Sequence, residues 1–147
     1  MKKLIVTCAI FLAGYFAISQ NTDGLLYKYI NIKNALVNSD AKEASTAIDV
    51  FYKAIQSEEN FKQKNNLLKS TEKLNKAENI EKQRAAFKDV TTIMWKLVKE
   101  SDKIDQSVYY QYCPMKKAYW LSFEKDIRNP YYGSSMLTCG KVAETSK

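Results

Sequence analysis

The chain has 147 residues, with 23 Lys and Arg against 16 Asp and Glu, so its formal net charge is +7. It contains 3 Cys, 4 Gly, 2 Pro and no His. The length suits one domain. Without an imidazole there is no Ser-His-Asp or Cys-His nucleophile, no histidine metal ligand and no histidine proton shuttle. Four scattered Gly provide neither a phosphate-cradling loop nor a dinucleotide fingerprint. The inventory predicts a protein that is not an enzyme.

Lys2 and Lys3 precede an almost wholly apolar run from Leu4 to Ile18. That run has the length of the apolar region of a secretory signal and is short for a bilayer span. Ala17 and Ser19 place small residues at −3 and −1 of a cut after Ser19. The expectation is a signal peptide over 1–19 and a single domain over 20–147, exported to the periplasm or another extracytoplasmic space. No stable membrane insertion is expected after cleavage. Loss of Lys2, Lys3 and Cys8 leaves 21 basic against 16 acidic residues, net +5, and two cysteines. A basic, Tyr-rich chain could suit nucleic acid. Export and the alternation of Lys with Glu and Asp argue against it, and favour solvated helix faces.

The middle of the chain has helical periodicity. Leu25, Tyr29, Ile32 and Leu36 follow spacings of 4, 3 and 4. Asp40 is a predicted N-cap, with Glu43 completing a capping-box pattern. Ala41, Ala44, Ile48, Phe51 and Ile55 then form one stripe. A weaker third helix carries Leu67, Leu68, Leu74 and Ala77. A fourth starts near Asn79 and presents Ile80, Phe87, Val90, Met94, Leu97 and Val98. Met94, Trp95, Phe51 and Phe87 read as core, and Arg84 as a solvated ion pair of little energetic value. These features predict an all-α fold, an up-down bundle of about four helices.

Composition shifts after Asp105. The segment Val108 to Gly140 holds both Pro, six of the ten Tyr, Trp120 and the two remaining cysteines. Val108 to Tyr112 has β character, and Asn129-Pro130-Tyr131-Tyr132-Gly133 signals a turn. The expectation is an irregular aromatic-rich cap over about 106–142, folded on the bundle. Trp120 reads as a hydrophobic anchor, with its indole face as a secondary cation candidate.

The cap carries two Cys/Met pairs. In Cys113-Pro114-Met115, an extended chain would place Cys113 and Met115 on one side. In Met136-Leu137-Thr138-Cys139-Gly140, one helical turn would place Met136 and Cys139 on one face, with Gly140 as its exit. Brought together, Cys113, Met115, Met136 and Cys139 would form a two-thiolate, two-thioether centre. Such soft donors suit Cu(I) or Ag(I), whereas zinc prefers Cys, His and carboxylate. An alternative stands beside it. A Cys113–Cys139 disulfide, across 26 positions, would be worth about 3.5 kcal/mol in the chain-entropy model. It would make the chain a stapled, metal-free interaction module of the envelope.

The strings Tyr112-Cys113-Pro114-Met115, Tyr119-Trp120-Leu121-Ser122, Asn129-Pro130-Tyr131-Tyr132-Gly133 and Met136-Leu137-Thr138-Cys139-Gly140 resemble the bacterial family known as domain of unknown function 3347. Ile80 to Phe87 resembles its helical part. The likeness spans roughly 24–142. Members occur as small exported proteins and fused to periplasmic adaptor subunits of heavy-metal efflux systems. The resemblance implies handling of copper or silver and an efflux adaptor as partner. It departs from the family in the short link Lys116 to Tyr119. Cys113-Pro114-Met115 also resembles, in part, the opening of a short heavy-metal-binding module that usually continues with His, where this chain has Lys116.

Overall fold

A computed structural model of the chain describes residues 21–146. The expected signal peptide over 1–19 lies outside these residues. Four α-helices come first: α1 (Thr22–Val37), α2 (Ala41–Ser57), α3 (Lys64–Asn75) and α4 (Ile80–Glu100). Three strands follow, β1 (Val108–Cys113), β2 (Ala118–Ser122) and β3 (Lys141–Ser146). A short 3-10 helix, Gly133–Met136, lies between β2 and β3. Among the described residues no helix is long and apolar enough to cross a membrane.

Side-chain caps open three of the helices. Asn21, Asp40 and Asn79 accept from the backbone N–H groups of Gly24, Glu43 and Lys82 at 2.9, 2.8 and 3.0 Å, satisfying donors that a helix start leaves free. Only half of the predicted capping box forms, because the Asp40 N–H donates to the Ala35 carbonyl. Each helix packs on the next, and α1 also packs on α4. The predicted stripes supply the core: Leu25, Tyr29, Ile32, Leu36, Ile48, Phe51, Ile55, Leu67, Leu74, Phe87, Val90 and Met94 are all buried. In α1 burial exceeds the stripe and takes in Leu26, Ile30, Lys33 and Ala35. Helices cover one side of α1 and β2 approaches another.

The expectation of an all-α fold with an irregular cap is overturned. Residues 108–146 contain a three-stranded antiparallel sheet in the order β2-β1-β3, so the fold is mixed α/β. The β character of Val-Tyr-Tyr-Gln-Tyr-Cys is borne out as a strand whose residues are buried on both faces. Tyr110 stacks on Trp95 of α4, with ring centroids 4.7 Å apart and planes 7° from parallel. On the opposite face Gln111 and Cys113 meet the irregular segment 124–140, where Gln111 Nε2 donates to the carbonyls of Glu124 and Lys125. Trp120 is fully buried and edge-on to Tyr131, which assigns it as a packing anchor.

A directed hydrogen-bond relay joins sheet to helices. The Leu121 N–H donates to the Tyr29 hydroxyl at 3.2 Å. Tyr29 and Thr91 hydroxyls are 2.7 Å apart, and Thr91 donates to the Phe87 carbonyl at 3.2 Å. With Thr91 spending its proton on Phe87, Tyr29 is the donor to Thr91.

Lys33 is the odd member of this core, at 3% exposure. No close ion pair among the described residues compensates it. Burial pushes its pKa down to about 8, with Glu124 opposing and Arg128 adding to the shift. The unfolded chain therefore binds the extra proton between about pH 8 and the normal lysine range. Stability should rise with pH through that window. Lys33→Met should gain about 1–3 kcal/mol at pH 7 and lose the rise, as urea unfolding at pH 7 and pH 9 would measure.

Candidate metal centre

Cys113 ends β1 and is fully buried, paired across the hairpin with Ala118. A residue before proline favours extended geometry, which holds the strand straight to its last position. The chain then reverses through 114–117, with Lys117 at φ +49°. Met115 therefore does not continue the strand, as the i, i+2 spacing predicted. It sits in the turn and is 63% exposed. Pro114 starts the reversal instead of stiffening an extended run.

Cys139 approaches from the other side. Its N–H donates to the Met136 carbonyl at 3.1 Å, closing the predicted turn. Met136 ends the 3-10 helix and is 37% exposed. Gly140 makes the exit at φ +153°. A Cβ there would lie 2.8 Å from the Trp120 ring and 2.9 Å from the Tyr112 carbonyl, so the segment passes β1 only because residue 140 has no side chain. The register Tyr112↔Lys141 then sets Gly140 beside Cys113 and brings Cys139 next to it.

The two thiols meet. Burial raises the Cys139 pKa, and the neighbouring Cys113 thiol adds to the shift. Both cysteines are free thiols. Of the four predicted ligands, the structure brings Cys113 and Cys139 together at the core boundary. It leaves Met115 and Met136 on the surface, each one turn from its cysteine. Among the described residues no three His, Cys, Asp or Glu side chains cluster as a metal group. Soft coordination here rests on the thiol pair and whatever the thioethers add.

Two residues that hold the pair were not picked out as functional. Asn129, fully buried, donates through Nδ2 to the Cys139 carbonyl at 2.7 Å and accepts at Oδ1 from the Tyr131 N–H at 2.8 Å. Its own N–H donates to the Leu137 carbonyl at 2.7 Å. One side chain thus fixes the return path of 129–139. Arg84 is not the solvated ion pair expected. It is 7% exposed, and its Nε donates to the Pro130 carbonyl at 2.8 Å. Its Nη2 donates to the Leu36 carbonyl and the Ser39 hydroxyl, and its Nη1 to Glu81. The signal was present: Arg84 lies on the same helical stripe as Ile80 and Phe87.

A family model described as a protein of unknown function, DUF3347, matches residues 25–106. The match covers the four helices and stops before β1, so it does not include the four sulfur positions. No curated protein and no solved structure matches.

Asn129→Ala should cost roughly 1–3 kcal/mol, because it strands the buried Tyr131 N–H. It should also speed alkylation of Cys139 in the folded protein. Arg84→Lys should cost roughly 2–4 kcal/mol in chemical unfolding, since an ammonium cannot span acceptors that a planar fork spans.

Proposed function

The chain belongs to the DUF3347 family of proteins of unknown function, and from that premise we propose that it is an exported binding protein for a soft monovalent metal, Cu(I) or Ag(I). The observation that carries this proposal is the β1–β3 register, which sets the free Cys139 beside the free Cys113. Two thiolates are strong donors for such an ion, and zinc would ask for further hard donors. Cys113 and Cys139 are the primary ligands. Met115 and Met136 contribute thioethers from the exposed rim, where an arriving ion meets them first. The metal is cargo, buffered and passed by ligand exchange to an efflux adaptor protein of the periplasm. No catalytic turnover is proposed.

The raised Cys139 pKa sets a pH dependence. A bound ion must displace the thiol protons, so Cu(I) affinity should increase with pH and fall in acid. Titration of the reduced protein against a competing chelator at pH 6 and pH 8 measures both stoichiometry and slope. One ion per chain and a tighter constant at pH 8 are expected. Cys113→Ser should weaken Cu(I) binding on the order of a hundredfold. The double variant Met115→Ala, Met136→Ala should weaken it about tenfold, close to 1.4 kcal/mol, and leave the helical circular dichroism unchanged. Equal affinity in the double variant would remove the thioethers from the ligand set.

The same approach of two thiols also serves a Cys113–Cys139 disulfide in a metal-free interaction module. Thiol counting separates the two. Two free thiols that Cu(I) protects favour the metal protein. A bond already present in envelope-derived protein, with no Cu(I) uptake after reduction, favours the module.

A further inference from the structure

A cleft of about 180 Å³ opens between α4 and the β1–β2 turn, lined by Glu81, Arg84, Lys88, Lys116 and Tyr131 among others. Its charged lining is three cations against one carboxylate. Nearby helix lysines are paired: Lys73 with Asp89, Lys76 with Glu72 and Lys82 with Glu78. Lys88 and Lys116 have no carboxylate within 4.0 Å among the described residues. The Lys116 ammonium lies 4.8 Å over the Tyr132 ring, which positions it without neutralising it.

Arg84 adds a donor. Of its five N–H hydrogens, four reach Pro130, Glu81, Leu36 and Ser39. The second Nη1 hydrogen has no acceptor among the described residues. Tyr131 spends its hydroxyl proton on the Tyr119 carbonyl and so lends the cleft an aromatic wall. Ala85 and Ala118 complete the apolar lining.

We propose that this cleft binds a small carboxylate anion, held by the free Nη1–H of Arg84 and the unpaired ammonium groups of Lys88 and Lys116. The carbon skeleton rests on Tyr131 and the two alanines. A cavity of about 150 Å³ accommodates a benzene-sized molecule, so a four-carbon dicarboxylate fits. The site uses no sulfur ligand and stands whether or not the thiol pair holds metal.

Succinate is the probe, titrated into the metal-free, reduced protein at low ionic strength and followed by backbone amide NMR shifts. Saturable shifts at Ala85, Lys116 and Tyr131 are expected in the millimolar range. The exposed double variant Lys88→Gln, Lys116→Gln should weaken binding about fivefold or more. The control Lys73→Gln, Lys76→Gln should leave it unchanged. Shifts that stay linear and spread across the lysines of every helix would overturn the proposal. So would saturable binding of equal strength in the Lys88, Lys116 variant.

Discussion

Everything on the sheet side of this molecule depends on satisfying the buried guanidinium of Arg84. A buried cation must spend its donors on well-placed acceptors. The acceptors come from three separate places: the Leu36 carbonyl in the last turn of α1 with the Ser39 hydroxyl just beyond it, Glu81 one turn earlier in α4, and the Pro130 carbonyl in the return segment. The need to gather them closes the α1–α2 turn, the start of α4 and the 129–133 loop around one side chain. Gly133 follows from the same crowding. At φ +58° it lies so close to Ser39, Arg84 and the Val37 carbonyl that any Cβ would collide.

That gathering positions the cysteines. Pro130 is anchored to Arg84, Asn129 precedes it, and Asn129 holds the Cys139 carbonyl. Cys113 comes from the other direction on a strand hydrogen-bonded on both sides. One thiol therefore rides on the most constrained part of the sheet. Its partner rides on a segment held by a few side-chain hydrogen bonds. The metal exchange proposed above would need only the more loosely held of the two thiols to move.

The helices were legible because each carries a periodic apolar stripe that is buried, even though burial in α1 extends beyond its stripe. The caps at Asp40 and Asn79 were legible for the same local reason. The sheet was not, although the strand patterning of Val108 to Tyr112 was visible. Pairing of β1 with β3 depends on Lys141 to Ser146, a largely exposed strand with a bulge and no apolar run. Its place is set by partners far away in sequence, from Tyr112↔Lys141 to Val108↔Ser146, and not by its own pattern. The convergence of Cys113 with Cys139 was expected from the residue types, but the position of Met115 was not, because Pro114 begins a turn where extension was assumed. Arg84 shows the opposite error. Charge suggested solvent, and the helical stripe pointed inward.

The relay from Leu121 through Tyr29 and Thr91 to Phe87 runs one way only. An amide cannot accept and a carbonyl cannot donate, so both hydroxyl protons between them are locked in orientation. Tyr29 is also buried against Phe87, with ring centroids 4.9 Å apart, and its ionisation is pushed well above the usual phenol range. A phenolate there would have no proton for Thr91. On raising the pH this tyrosine should therefore ionise after the surface tyrosines, because its phenolate would be buried and would break the relay.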